Sequence, residues 1–338
     1  MASFLSSCKN NGMDSLCDLN GDAYTSALLL KFFMQDSSPH CGTNFSSLIN
    51  FRKASDGSVW TARFIPTGNW ASLAYGNGVF VAVAEGVGST MALTSTDGIT
   101  WTQRTMPTGA WWISVTFGNG IFVAVASSNS TIAATSTDGI NWTQRTLPAP
   151  TSGWQSVTFG NGTFVAIDIA SNRAATSPDG INWTLRTLPV SATWWSISYG
   201  NGVFVAITYG DTIAATSPDG ITWTQRTLPS ALDWQSITFG NGQFVVVAHN
   251  SSVSLTTTDG ITWTQRTMPV STTWYSVAFG NGFFVAVANN TSIVATSPDA
   301  ITWTQRSLPN TAPWYAVTYG DGIFVALSYG ATSGASSP

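Results

Sequence analysis

Asp97-Gly98-Ile99-Thr100-Trp101-Thr102-Gln103-Arg104 decides the fold, because the string returns with small changes along most of the chain. Its tryptophan falls at Trp60, Trp101, Trp142, Trp183, Trp223, Trp263 and Trp303, a spacing of 40 or 41 residues. A second string, Gly-Asn-Gly-x-Phe-Val, starts at Gly76, Gly118, Gly160, Gly200, Gly240 and Gly280, and at Gly320 with Asp321 in place of Asn. Six residues before each of these glycines stands another tryptophan: Trp70, Trp112, Trp154, Trp194, Trp234, Trp274 and Trp314. One unit is thus written seven times and absorbs 14 of the 16 tryptophans, leaving Trp111 and Trp195 outside it. Self-similarity at this period marks a solenoid, an array or a propeller.

Each unit reads as four short strands. In the second, Trp112–Phe117 is followed by the turn Gly118-Asn119-Gly120, then by apolar Phe122–Ala126. Thr131–Ser136 leads to the turn Asp138-Gly139, and Ile140–Thr146 ends before Pro148. Asn-Gly and Asp-Gly are strong hairpin signals, because a type I′ turn needs positive φ at both central residues. Proline lacks the ladder donor and is expected to stop the last strand. A solenoid of this period would need atypical capping repeats, which the sequence lacks. The reading is therefore an all-β chain: a seven-bladed β-propeller of four-stranded blades over residues 54–338.

The ends of the repeat sharpen that expectation. Phe324–Pro338 aligns with Phe204–Pro218, so the last unit lacks its Asp-Gly turn and fourth strand. The missing piece stands at Asp56-Gly57-Ser58-Val59-Trp60-Thr61-Ala62-Arg63. The last blade is expected to be closed by this N-terminal strand, three strands from one end and one from the other, leaving no free edge. Residues 1–53 differ in composition and read as a separate anchoring segment. Asn20-Gly21-Asp22 precedes Ala23–Met34, where Leu28, Leu29, Phe32 and Phe33 give a helical apolar face. So short a segment cannot bury a core alone and should dock on the propeller, on copies of itself or on a larger assembly.

Composition removes several functions. The chain of 338 residues holds 28 charged ones, 8%, against about 25% in ordinary domains, with a net charge of -4. Twelve basic residues, seven of them repeated, do not make a nucleic-acid surface. No run of about 18 apolar residues is present, so no membrane insertion is expected. The N-terminus has no signal-peptide layout. All three cysteines, Cys8, Cys17 and Cys41, lie before the repeat. A Cys8–Cys17 or Cys17–Cys41 disulfide, free thiols, and zinc ligation with His40 stay open, although the spacing fits no common finger. No metal or cofactor is expected.

At its Asp-Gly-x-x-Trp turn the unit resembles the Asp-box, or BNR, repeat of sialidase-like propellers, whose pattern is S-x-D-x-G-x-x-W. The boxes here read Ser95-Thr96-Asp97-Gly98-Ile99-Thr100-Trp101 and Ser177-Pro178-Asp179-Gly180-Ile181-Asn182-Trp183, one residue shorter between Asp and Gly. Ala300 replaces the glycine of the last box, and Ala54 the serine of the first. The resemblance covers all seven units and implies a scaffold, not an activity. The W-x-x-x-x-(F/Y)-G-N-G-x-F-V-A-V unit also looks like those of bacteriophage tail and host-attachment proteins.

Residues present seven times read as structural. Asp56, Asp97, Asp138, Asp179, Asp219, Asp259 and Asp299 are expected to bond turn N–H groups. The arginine three after each box tryptophan is expected to meet a carboxylate or carbonyl. The first and third turns lie on one, nearly invariant face; the second turn and the linker lie on a variable face, where specificity is built on a rigid scaffold. Four carboxylates outside the repeat fall there: Glu85, Asp168, Asp211 and Asp233. Asp168, Asp211 and Asp233, with Arg173, Tyr209 and His249, form a candidate polar site for a glycan or cation. Trp111 and Trp195 are candidate sugar platforms; Tyr275 and Tyr315 occupy the position of Trp195, where the remaining units have Ala71, Ile113, Gln155 and Gln235.

A sialidase needs an arginine triad and a Tyr/Glu pair, and the propeller has one non-repeated arginine, Arg173. No Ser-His-Asp, HExxH, P-loop or CxxC pattern occurs, and no catalytic residue is expected. The sequence reads as a non-enzymatic structural and binding protein of a virion, in a bacteriophage tail or surface. It would present its variable face to a host glycan or receptor and meet other virion proteins, or further copies of itself, through residues 1–53. The alternative is a free, extracellular multivalent lectin; a glycan-cleaving enzyme comes last.

Overall fold

The structure, a computed structural model, describes residues 55–127, 131–149 and 152–337. The expected helix at Ala23–Met34 and the cysteines with His40 lie outside the described residues, and among those described there is no helix. Hairpin turns do most of the connecting. The first two units give β1 (Thr61–Gly76), β2 (Val79–Ala84), β3 (Met91–Ser95), β4 (Thr102–Thr105), β5 (Trp112–Gly118), β6 (Ile121–Ala126), β7 (Ile132–Ser136) and β8 (Thr143–Thr146). The next two give β9 (Trp154–Gly160), β10 (Thr163–Asp168), β11 (Ser171–Ser177), β12 (Thr184–Ala192), β13 (Trp194–Gly200) and β14 (Val203–Ser217). Then come β15 (Thr224–Gly240), β16 (Gln243–Ala248), β17 (Ser251–Thr257), β18 (Thr264–Thr272), β19 (Trp274–Gly280), β20 (Phe283–Ala288), β21 (Thr291–Ser297), β22 (Thr304–Ala312), β23 (Trp314–Gly320) and β24 (Ile323–Ser337).

The architecture is an all-β propeller, and its sheet count corrects the expectation of seven four-stranded blades. Hydrogen bonding gives five sheets: three of four strands and two of six, β23-β24-β1-β2-β3-β4 and β13-β14-β15-β16-β17-β18. The reason lies in β1 and β15. Thr61–Asn69 of β1 pairs with β24, whereas Trp70–Gly76 pairs with β2. Thr224–Asp233 of β15 pairs with β14, and Trp234–Gly240 with β16. One continuous strand therefore sews two repeats into one sheet. Proline does not stop it: Pro66 and Pro229 sit inside β1 and β15. There the strand is the outermost of its repeat, and an edge tolerates a missing donor.

Each repeat places its second strand in the middle of the packing. Phe80, Val81, Ala82, Val83 and Ala84 are all fully buried, which explains an apolar run without alternation. The tryptophan six residues before the turn glycine of each inner strand, from Trp70 to Trp314, is also fully buried. Successive inner strands meet through a glycine and a ring. A Cβ on Gly118 would come within 2.0 Å of the Phe159 ring, and Gly160 faces Tyr199 in the same way. Gly320 faces Tyr75, so the series returns to its start. Inner strands β1, β5, β9, β13, β15, β19 and β23 each contact the next, and β23 contacts β1.

The turns behave as their chemistry dictates. Asn77 and Gly78 have φ of 48° and 76°, both positive, as a type I′ turn requires. Asp97 Oδ1 accepts the N–H groups of Ile99 and Thr100, each at 2.8 Å, and the Ser95 hydroxyl at 2.9 Å. This turn shortens the fourth strand, which begins at Thr102 and Thr143, after the box tryptophans. Each repeated arginine differs from expectation: Arg104 Nε donates to the Thr94 hydroxyl at 2.9 Å, and Arg145 to Thr135 likewise. The partner is a hydroxyl on the neighbouring strand, not a carboxylate or carbonyl.

Candidate functional site

The inner strand carries the same irregularity in all seven repeats. Its register slips between Trp70 and Ser72, Trp112 and Ser114, Trp194 and Ser196, Trp234 and Ser236, Trp274 and Ser276, and Trp314 and Ala316. In the third repeat Trp154 pairs with Asp168 and Ser156 with Ile167, leaving Gln155 out in the same way. A bulge frees one residue from the ladder and re-aims its side chain. The freed residues are Ala71, Ile113, Gln155, Trp195, Gln235, Tyr275 and Tyr315, and all seven line one central cavity of about 300 Å³. Identical backbone thus presents a different side chain from every repeat.

Below them runs a band of serines. Val115 N–H donates to Ser72 Oγ at 3.1 Å, and Val157 N–H to Ser114 Oγ at 3.1 Å. Ile237, Val277 and Val317 bond Ser196, Ser236 and Ser276 in the same way. Five inner-strand amides are therefore occupied by the preceding repeat.

The cavity is chemically lopsided. On one side Tyr275 and Tyr315 stack with centroids 3.7 Å apart, and Tyr329 lies 4.5 Å beyond Tyr315. Glu85 faces these phenols and bonds the Tyr329 hydroxyl. Burial raises the Glu85 carboxyl above its ordinary range, and the Tyr329 bond offsets part of that rise. Burial, then the adjoining Tyr315, pushes Tyr275 far above the ordinary phenol range, so these hydroxyls keep their protons. Across the ring, Trp195 Nε1 donates to Gln235 Oε1 at 2.9 Å, which orients the Gln235 amide. Tyr209 packs against Trp195 at 5.1 Å. Among the described residues, Glu85 is the only one along the cavity wall whose side chain is of a charged type.

The residues singled out from sequence divide between cavity and scaffold. Trp111 and Trp195 line the cavity. Asp168 is fully buried and accepts from Gly153 N–H at 2.8 Å and the Ser171 hydroxyl at 2.8 Å, so it ties its own loop together. Arg173 Nη1 donates to the Ala149 carbonyl at 2.6 Å. Asp211 accepts from Thr212 N–H at 2.6 Å, while Asp233 bonds Tyr209, its cross-strand partner. His249 Nδ1 is buried without a partner, away from the cavity wall. The structure thus joins Tyr209 with Asp233, whose carbonyl accepts the His249 N–H at 2.8 Å, and sets Asp211 opposite Leu232 on the same strand pair, while Asp168 ties its own loop in the preceding repeat. Glu85, Gln155, Gln235, Tyr275 and Tyr315 emerge instead. For Gln155, Gln235, Tyr275 and Tyr315 the signal is the one position after each inner tryptophan, where near-identical repeats stop agreeing, whereas Glu85 stands just after β2 and is marked only as a carboxylate outside the repeat.

Residues 196–319 match the DUF6242 β-propeller domain family. This chain carries a β-propeller domain. Its fold resembles that of a catalytically inactive virginiamycin B lyase from Staphylococcus aureus solved with quinupristin: TM-score 0.73 and 14% identity over 83% of this chain and 99% of that one. It also resembles YCF48 bound to a D1 peptide, at TM-score 0.65 and 15% identity over 86% and 99% of the two chains. YCF48 from Cyanidioschyzon merolae gives 0.64 and 15% over 83% and 98%. An enzyme and a peptide-bound protein thus share this propeller fold, and identities this low speak to fold alone. Comparison with curated proteins gave no match.

Proposed function

We propose that this propeller is a non-enzymatic binding module that takes a glycan in its central cavity. The observation that carries this reading is the bulge ring: seven near-identical repeats differ where their side chains enter one cavity. Catalysis by glycosidase chemistry would need a second carboxylate about 5–9.5 Å from the first, and among the described residues the cavity wall offers Glu85 alone. An indole face flanked by amides and phenol hydroxyls suits a sugar, which has apolar ring faces and hydroxyl edges. Binding of a peptide by strand addition has less support, because the serine band already occupies inner-strand amides. The free multivalent lectin is likewise less supported, since the inner tryptophans are fully buried and cannot serve as seven open platforms.

Within this reading, the shortened Asp-boxes support kinship with Asp-box propellers, and the repeat style supports a place on a virion surface or bacteriophage tail. Residues 1–53 would anchor the module there. The test is a glycan array probed with the full chain and with Trp195→Ala. Binding of a defined glycan set that the variant weakens roughly tenfold or more is expected. Glycan binding unaffected by Trp195→Ala would move the site elsewhere, and no binding across the array would end the glycan reading.

A further inference from the structure

The proposed glycan site has an uneven charge that narrows its ligand. Glu85 belongs to the first repeat, Tyr315 and Tyr329 to the seventh and Tyr275 to the sixth. They are neighbours because β23 returns to β1. Trp195 and Gln155, from the fourth and third repeats, stand across the ring. Glu85 is partly withdrawn from water, its side chain bonds the neutral Tyr329 phenol, and among the described residues no Lys, Arg or His lies on the cavity wall. A buried carboxylate without a counter-charge is costly and gains most from a cation brought by a ligand. The same wall repels an acidic sugar.

Resting on the glycan reading above, we infer that the cavity selects a glycan bearing a free, protonated amine, with the ammonium at Glu85 and the tyrosine hydroxyls and a sugar face at Trp195. Phenol oxygens that keep their protons can accept from an ammonium and still donate to Glu85, so the group can be fully satisfied. Gln155 and Gln235 present neutral donors and acceptors for ring hydroxyls. A lysine-rich peptide would share the charge but not the ring. It would also find most of the inner-strand edge taken, since Val115, Val157, Ile237, Val277 and Val317 have already given their N–H groups to serines.

The test is calorimetry on the full chain in buffer near neutral pH with four probes: a glucosamine tetramer, an N-acetylglucosamine tetramer, cellotetraose and tetralysine. The glucosamine tetramer is expected to bind at least roughly tenfold more tightly than either neutral oligomer. Glu85→Gln should remove that advantage, read as the ratio of the affinities for the glucosamine and N-acetylglucosamine tetramers. Rising ionic strength should shrink the advantage in the wild-type protein, a readout that does not depend on any variant folding. Equal affinity for the three sugars, or an advantage that survives Glu85→Gln, overturns the inference while the glycan reading stands. Tetralysine binding as tightly as the glucosamine tetramer would show that charge alone is read and overturns it too. Binding of none of the probes, with a silent glycan array, removes the glycan reading itself.

Discussion

Two kinds of residue set the molecule's limits, and each makes a measurable prediction. Gly118 has no spare room: a Cβ there would lie 2.0 Å from the Phe159 ring. Gly118→Ala must push two repeats apart and is expected to cost on the order of 1–3 kcal/mol in urea unfolding. Gly120 has open space around it but a φ of 80°, so Gly120→Ala should cost about 1 kcal/mol from backbone strain alone. If Gly118→Ala proves no worse than Gly120→Ala, the ring-on-glycine contact is not what spaces the repeats. The box carboxylates predict the acid limb. Asp259 is held below its ordinary 3.8 by the N–H groups of Ile261 and Thr262, against a smaller opposing effect of burial. Asp179 is held low by Asn182 and Ile181 in the same way. A folded value below the unfolded one means that the unfolded chain binds more protons. The stabilisation is therefore complete above the ordinary value and lost as pH falls through the folded values. Urea midpoints should stay level above about pH 5 and fall below about pH 4. A midpoint that does not move over this range would mean the boxes contribute nothing to stability.

Between residues and molecule, the inner strands show what a sequence can and cannot convey. The period, the Asn-Gly and Asp-Gly turns and the apolar second strand were legible because each is fixed by local chemistry: positive φ, a turn carboxylate, burial on both faces. The sheet count was not, because whether Pro66 interrupts β1 depends on β24, a partner some 270 residues away in sequence. The cavity was half legible. Trp195, Tyr275 and Tyr315 stand at one variable position, but nothing local announces a bulge, and nothing local separates Glu85 from the other three loop carboxylates. Asp168 misleads for a physical reason: a lone loop carboxylate in sequence is in space the hub of its own turn. The serine band carries the prediction at this scale. Ala316 stands where the other six repeats have serine, at the seam between β23 and β1. Ala316→Ser should accept the Leu73 N–H, as Ser72 accepts Val115, and raise the melting temperature by about 1–3 °C. A melting temperature that falls would show that the seam differs in spacing from the other six junctions.

At the scale of the whole molecule, closure depends on a segment far from its partner in sequence. Thr61–Phe64 pairs with Ser333–Ser336 of β24, and the Ser55 and Ser337 hydroxyls bond at 2.5 Å. Gly57 packs against Val285 and Phe324. Deleting residues 55–64 removes all three links at once and bares the outer edge of β24. An unpaired edge of this kind invites pairing with another chain. The shortened protein is therefore expected to lose its cooperative melt and to elute as aggregates in size-exclusion chromatography. The same ten residues moved behind Pro338 through a short flexible linker should restore both, because pairing, not chain order, closes the ring. Loop closure over a short linker costs little, so the rearranged chain should come within about 1–2 kcal/mol of the parent. Failure of the rearranged chain to fold, with the deletion also unfolded, would mean that the link from Phe64 into Trp70 along β1 is itself required. The six-stranded sheet built on that strand would then be the unit of stability, ahead of the individual repeat.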